Sequence, residues 1–316
     1  MESARPLQTA RSKAPAVGPV LDLPEADEFS VVFLPDTQYY SARYPELFRA
    51  QTQWIAENRM RFNIQAVLHE GDSVHDNEAA QWANAGAAIG ILDAAEIPYL
   101  IAIGNHDYDT FSDADRRTTA FNTAFPPGRY AAHAWWQGGF YEAGHTENAY
   151  CLLSIGSVEC LLLSLEFGPR QTVIDWANDI LARYPDRWVV VVTHSFLYID
   201  GTRVSPGDEH NPKIYPLGPS ANDGEDLWTK LVGRHDNIHW VQSGHHVGGN
   251  AAYRRDESRG GTAVHQVFAN WQEGANGGDG WLRLVTFGNG QARVQTFSPP
   301  LGLVKAEAEN KFVVRL

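Results

Sequence analysis

Five segments of the sequence end a run of apolar residues with side chains that bind metal ions. Each run is short and rich in branched aliphatic residues, and each closes on Asp, Asn or His; the segments are 31–38, 66–72, 100–107, 189–194 and 238–246. Such runs are typical of buried parallel strands, and sites in open α/β sheets lie beyond the carboxyl ends of strands. We therefore expect one crevice to gather Asp36, Asp72, Asn105, His194 and His245.

These residue types indicate metal chemistry without a protein nucleophile. Carboxylate, amide and imidazole ligands suit Mn, Fe or Zn, and a pair of such ions can clamp a phosphoryl group and produce hydroxide at neutral pH. The sequence contains no Ser nucleophile elbow and no phosphate-binding P-loop. The pair His69-Glu70 does not begin a zincin motif, because its second histidine would fall at Ser73.

Taken in order, the motifs resemble the calcineurin-like metallophosphoesterase superfamily. The set is Asp36-x-Gln38, Gly71-Asp72, Gly104-Asn105-His106-Asp107, His194 and Gly244-His245. The four residues 104–107 are the most specific part, and further segments at 264–272, 280–284 and 296–299 resemble a subgroup that begins with Asp-Thr-Gln. The resemblance implies an α/β fold, a four-layer α/β/β/α sandwich of two mixed β-sheets flanked by helices, as in metallo-dependent phosphatases. It also implies a binuclear phosphoric ester hydrolase, either a phosphatase or a phosphodiesterase.

The resemblance assigns roles residue by residue. Two divalent ions (Mn, Fe, Zn or a mixture) would share Asp72 as a bridging ligand, with Asn105, His194 and His245 completing the second ion and Asp36 on the first. A metal-bound hydroxide would attack phosphorus. His106 would assist the leaving group, since imidazole gives and takes protons near neutral pH, and Asp107 would orient it.

At the first ion the sequence departs from the family pattern. Gln38 and Val247 stand where relatives have histidines, so two imidazoles are lost. Gln38 can still offer an amide oxygen, and His75 is either a replacement ligand or a neighbour of one. We predict that this first ion binds more weakly or more selectively than in relatives. The alternative hypothesis is a metal-binding scaffold with little catalysis.

Contacts to substrate are signalled more weakly. Tyr39 follows the first ligands, and His246 and Arg254 follow the last, so these three are candidates for binding a small phosphorylated substrate. Monoester and diester stay equal alternatives at this stage, and a phosphonate or phosphotriester substrate is a further one. The net charge of −13 disfavours long nucleic acids as partners.

Pattern and composition also predict the organisation of the chain. Residues 1–27 show no periodicity and are interpreted as a flexible N-terminal tail, and residues 28–316 as a single metallophosphoesterase domain. We expect strands at 29–37, 64–70, 99–104, 189–193 and 237–243, helices near 46–60, 78–95, 173–181 and 224–234, hairpins at 148–166 and 281–297, and an edge strand at 312–316.

The sequence predicts neither a membrane span nor a disulfide, and it leaves the oligomeric state and the location open. No apolar run is long enough to span a membrane. Cys160 should lie opposite Leu153 in its hairpin, so a disulfide with Cys151 is not expected. The oligomeric state is not encoded in any motif, and a secreted or periplasmic location, with the signal missing from this chain, stays open.

Overall fold

The architecture is built from fourteen strands and seven α-helices, seen in a computed structural model that describes residues 20–218 and 220–316. The strands are β1 Phe29–Leu34, β2 Ile64–His69, β3 Tyr99–Ile101, β4 Gly138–Phe140, β5 Ala149–Ile155, β6 Val158–Leu165, β7 Trp188–Thr193, β8 Ile238–Ser243, β9 Ala251–Glu257, β10 Ala263–Ala269, β11 Leu282–Gly288, β12 Gln291–Ser298, β13 Leu303–Lys305 and β14 Lys311–Arg315. The helices are α1 Gln38–Arg43, α2 Pro45–Asn58, α3 Ala79–Ala94, α4 Thr119–Ala124, α5 Pro127–Ala131, α6 Gln171–Arg183 and α7 Gly224–Lys230.

These strands form two mixed sheets of seven strands each. The first has the order β13-β12-β11-β1-β2-β3, with β14 also on β12, and the second has the order β4-β5-β6-β7-β8-β10-β9. In the first sheet β1, β2 and β3 run parallel, and in the second β6, β7, β8 and β10 run parallel. The antiparallel strands lie outside these parallel centres. One antiparallel pair, β11 with β12, is the hairpin that the Asn-Gly turn between them predicts.

Burial on alternate residues of the parallel strands creates the layers. Val190 and Val192 of β7 belong to the larger core cluster, together with Phe33 and Val285 of the first sheet. Val191, their neighbour on the other face of β7, packs in a second cluster with residues of α6 and α7. Since successive side chains of a strand point to opposite faces, the two sheets stack on each other with helices outside. The four-layer α/β/β/α sandwich is confirmed.

Most of the predicted elements are confirmed within a few residues of their ends, including the hairpin register that sets Cys160 opposite Leu153. Both cysteines are buried and free. The region 127–148, which lies outside the predicted helices and strands, contains α5 and β4, and the short helices α1 and α4 and the strands β9, β10 and β13 were not predicted either. None of the helices in the described ranges is both long enough and apolar enough to cross a membrane.

Of the predicted tail, residues 1–19 lie outside the described part of the chain. The remaining described residues contact the first sheet: Leu21 is buried, and Asp22 exchanges two hydrogen bonds with Gln295 of β12. The backbone of residues 21–22 is thus held on β12.

Candidate metal centre

Six strand ends, three from each sheet, meet at one edge of the sandwich. The parallel strands of the first sheet end before Asp36, Asp72 and Asn105, and those of the second sheet end before His194, His245 and Asn270. All six side chains are buried. The crevice predicted from the sequence is therefore formed by the two sheets together, which explains why its residues are spread so widely along the chain.

Four ligand atoms converge on one point of this crevice. His194 Nε2 lies 3.1 Å from Asn105 Oδ1, 3.3 Å from Asp72 Oδ2 and 3.1 Å from His245 Nδ1. Atoms that share one ion at about 2.0–2.2 Å lie roughly 3–3.5 Å from one another. The ligand atoms of Asp72, His194 and His245 all fall within 4.8 Å of one another. The spacing fits a single divalent cation.

Backbone carbonyls fix the tautomers of the two histidines. His194 Nδ1 lies 2.8 Å from the carbonyl oxygen of Glu70, and His245 Nε2 lies 2.9 Å from that of His210. A carbonyl oxygen only accepts, so each of these nitrogens carries the proton. When the two rings are neutral, the opposite nitrogens therefore turn lone pairs toward each other and toward two oxygens. Outward hydrogen bonds of this kind are how proteins prepare histidine for a metal, and a cation fits this donor set.

Electrostatics at the centre favour a positive charge. Burial lowers the pKa of His194, but the carboxylates of Asp72 and Asp36 outweigh it and raise the pKa to about 9. Burial raises the pKa of Asp36 to about 7, with Asp72 adding to the shift and His194 opposing it. Burial also lowers the pKa of His245 well below its usual range. The two buried carboxylates of Asp36 and Asp72 are thus balanced by only one imidazole, that of His194, that is readily protonated.

The second half of the centre is made of carboxylate and amide groups. Asp36 accepts from the backbone N–H of His245 and from Nδ2 of Asn270, at 3.2 and 3.0 Å. Gln38 donates its Nε2 to Gln272 Oε1, and its own Oε1 is buried without a hydrogen-bond partner among the described residues. A buried oxygen without a partner, on a residue that lines the same cavity as Asp72, fits a place for a hard cation.

His106 lies beside the four ligand atoms, at the wall of the cavity. Its backbone N–H donates to Asp72 Oδ1 at 2.9 Å, and its ring Nδ1 lies 2.7 Å from the carbonyl oxygen of His75. The ring of His75 stacks on that of His106 with centroids 5.0 Å apart. His106 Nδ1 therefore carries a proton, and Nε2 is left for the cavity.

The role expected for Asp107 is different in the structure. Its carboxylate accepts from the backbone N–H of Gly104 at 2.9 Å and of Val74 at 3.1 Å. It therefore ties the loop after β3 to the loop after β2, and the group that orients the His106 ring is the carbonyl of His75. An aspartate next to a histidine in sequence faces the other way here, because the chain turns immediately after β3.

Two of the three residues expected to contact substrate lie outside the lining of the cavity. His246 is fully buried behind the centre, where its Nε2 lies 3.0 Å from Ser195 Oγ. Arg254 lies on β9, at the edge of its sheet, and binds the carboxylate of Asp256 with two nitrogens. Neither lines the cavity, whereas Tyr39 does.

The cavity over the centre has a volume of about 270 Å³. Its lining includes His75 and Gln38, together with four residues that sequence reasoning did not single out: Phe111, His210, Tyr215 and Gln272. Phe111, His210 and Tyr215 lie on long irregular connections, which carry no periodic signal. Gln272 and Asn270 follow β10 as the other candidate ligands follow their strands. The expectation that sites lie beyond the carboxyl ends of strands could therefore have identified them.

The chain belongs to the calcineurin-like phosphoesterase family, whose sequence model matches residues 29–249. That span begins with β1 and ends just after β8, so it contains every predicted metal ligand. The match agrees with the motif order from which the resemblance was inferred.

Two further likenesses extend this assignment. YvnB of Bacillus subtilis (strain 168), a protein described as uncharacterized, is 32% identical over 285 residues, which are 87% of this chain and 20% of YvnB. The chain thus spans only 20% of the length of this relative. The structure of purple acid phosphatase PPD1 from yellow lupin seeds has a TM-score of 0.55 at 16% identity, over 92% of this chain and 54% of PPD1. At that identity the likeness shows a shared fold.

Proposed function

We propose that this chain hydrolyses phosphomonoesters or phosphodiesters of a small molecule with the help of divalent metal. The observation that carries the proposal is the set of four converging ligand atoms on Asp72, Asn105, His194 and His245, next to His106 in the same cavity. A bound cation would polarise a phosphoryl oxygen and lower the pKa of a coordinated water.

His106 is assigned the protonation of the leaving oxygen. Its Nδ1 proton is held by the carbonyl of His75, so donation to substrate must come from Nε2. A proton on Nε2 as well as on Nδ1 is needed for this step. The stacked ring of His75 supports His106 in that orientation, and we assign His75 to positioning instead of metal ligation.

A second ion is proposed at Asp36, Gln38 and the remaining lone pairs of Asp72. The unpartnered Oε1 of Gln38 supports this site, and Asn270 would hold Asp36 in place. Without an imidazole this set is harder and weaker than the first, so it should favour Mn over Zn. Titration of metal-free protein should then show one tight and one weak ion; two equally tight ions would contradict this asymmetry.

The alternative is a metal-binding scaffold with little catalysis. Val247 lines the cavity where relatives have a histidine, which favours this alternative. Retention of His106 in the cavity, with a fixed Nδ1 partner, favours the enzyme.

A pair of variants separates the two functions. Metal-loaded protein should hydrolyse aryl phosphates in a chelator-sensitive way. His106→Gln should keep its metal and lose about 100-fold or more of kcat, in line with the loss of a general acid. His194→Gln should lose both metal and turnover, and His145→Gln, a histidine outside the cavity, should lose neither. Metal binding without turnover in the unaltered chain would support the scaffold.

A further inference from the structure

One wall of the cavity is aromatic and faces the proposed leaving-group acid. Phe111 is 51% exposed, although aromatic side chains gain about 1.5–3 kcal/mol from full burial. Its ring centroid lies 4.8 Å from that of His106, at an interplanar angle of 73°, and 5.7 Å from that of Tyr215. An apolar ring left open beside His106 is a surface that an apolar part of a substrate can cover.

The same cavity is poor in positive charge. Among the described residues that line it there is no Lys or Arg, and its floor contains the carboxylate of Asp72. The cation found nearby is Arg43, which is exposed and lies 5.8 Å from the Tyr39 ring centroid. A phosphomonoester carries about 1.5 to 2 negative charges at neutral pH, whereas a phosphodiester carries one. The proposed divalent ions would offset the carboxylates of Asp36 and Asp72, and the lining adds no Lys or Arg for the second charge of a monoester, so it is better matched to a diester monoanion.

A second cavity of about 380 Å³ shares part of its wall with the first. Phe111, His106 and His75 line both cavities. The added residues include Asp76 and Asp109, and again no Lys or Arg among those described. A leaving group that enters this space meets an aromatic ring and two carboxylates, so it should carry no phosphate of its own.

We propose that the substrate is a phosphodiester monoanion whose leaving alcohol bears an aromatic or similarly apolar group, packed on Phe111 and Tyr215. This inference rests on the proposed hydrolytic function and specifies its substrate class. Water supplies the oxygen that bonds to phosphorus, the bond from phosphorus to the leaving oxygen breaks, and His106 gives that oxygen its proton. The products are an apolar alcohol and a phosphomonoester.

The test compares three aryl esters on metal-loaded protein. 4-Nitrophenyl phosphate is a monoester, and methyl 4-nitrophenyl phosphate and phenyl 4-nitrophenyl phosphate are diesters with the same leaving group. We expect kcat/KM for both diesters to exceed that for the monoester by about 10-fold or more. Preference for the monoester, lost on Arg43→Ala, would overturn the charge argument.

Variants at Phe111 locate the apolar contact. Phe111→Ala should lower kcat/KM about 10-fold for both diesters, since one lost apolar contact is worth roughly that factor, while Phe111→Tyr should stay near the unaltered value. Leu301→Ala, which removes another exposed apolar side chain that does not line the cavity, is the matched control and should have no effect. A loss confined to the phenyl ester would place Phe111 against the retained group and overturn the assignment.

Binding separates this inference from the proposed function. Calorimetric titration of metal-loaded His106→Gln with phenyl 4-nitrophenyl phosphate measures affinity without turnover. If adding Phe111→Ala lowers this affinity about 10-fold, the result supports the aromatic subsite. That holds even if the unaltered chain hydrolyses nothing, and in that case only the proposed function fails. Turnover with no Phe111 effect overturns the subsite alone, and absence of binding overturns it as well.

Discussion

At the scale of residues, two main-chain oxygens decide what the buried histidines can do. The carbonyls of Glu70 and His210 take the outer protons of His194 and His245, so both rings present lone pairs to Asp72. The sequence reveals the histidines but not their tautomers, because the partners are backbone atoms distant in the chain. The same holds for His106, which is oriented by the carbonyl of His75.

Asp107→Asn tests the role that the structure assigns to this carboxylate. An amide keeps one acceptor oxygen and turns an NH₂ toward the second backbone N–H, from Gly104 or Val74. The free energy of unfolding should fall by about 1–3 kcal/mol, the penalty for an unsatisfied buried donor. Metal affinity should weaken too, because the loops that carry Asp72 and Asn105 are no longer tied together.

Thermal unfolding and metal titration measure both effects, with the exposed Asp115→Asn as the matched control. Unchanged stability and affinity, with a shifted pH profile of turnover, would contradict this role. That outcome would restore the contact with His106 that the sequence suggested.

Away from the centre, His265 makes stability depend on pH. Burial lowers its pKa from 6.5 to about 4. Between about pH 6.5 and pH 4, His265 is therefore protonated in the unfolded chain and neutral in the folded chain. Stability is lost as the pH falls through this window. His265→Gln should reduce that loss by on the order of 1 kcal/mol, as urea unfolding at pH 7 and pH 4.5 can measure. An unchanged pH slope would contradict the buried neutral histidine.

At the scale of elements, periodic segments were predictable and irregular ones were not. The helices α2 and α6 have clear apolar periods, α3 is rich in Ala, and the central parallel strands are continuous apolar runs, which is why their bounds agree with expectation to within a few residues. β9 and β10 carry mixed polar faces and follow a glycine-rich turn, so no alternation marks them. In the described residues of the connection that carries His210 and Tyr215, the helical structure is limited to one 3₁₀ turn at Pro212–Ile214.

The same reasoning applies to the site. The side chains directly after strands were expected to converge because strand ends do, and Asn105, His194 and His245 lie together. The side chains of Asp107, His246 and Arg254 make contacts other than those expected. These contacts depend on long-range packing, which the spacing of residues along the sequence does not encode.

Gly104→Ala tests how tightly two of these strand ends approach each other. A Cβ at Gly104 would collide with the backbone nitrogen and the carboxylate of Asp72. We expect stability to fall by about 1–3 kcal/mol, as for other overpacked sites, together with a loss of metal binding. Gly128→Ala is the matched control, because its Cβ would meet no atom within 4 Å. Equal metal content in the two variants would contradict the close approach.

At the scale of the whole molecule, the centre joins the two sheets. Asp36, Asp72 and Asn105 come from one sheet and His194 and His245 from the other, so a bound ion crosslinks the layers of the sandwich. A chelator should therefore lower the melting temperature of the whole fold. A cation at 100 times its Kd stabilises the folded state by about 2.7 kcal/mol.

Differential scanning calorimetry with Mn, with Zn and with chelator measures this linkage. His194→Gln should abolish the difference between the metal-loaded and the chelated samples, and Leu301→Ala should preserve it. Identical melting in all three conditions would mean that no ion binds the folded chain selectively.

The most direct measurement is anomalous diffraction from crystals of the chain loaded with Zn or Mn. We expect a peak about 2.0–2.3 Å from Asp72 Oδ2, Asn105 Oδ1, His194 Nε2 and His245 Nδ1. A weaker second peak is expected beside Asp36 and Gln38. A peak elsewhere, or no peak between these four atoms at saturating metal, would contradict the proposed centre and the hydrolytic function built on it.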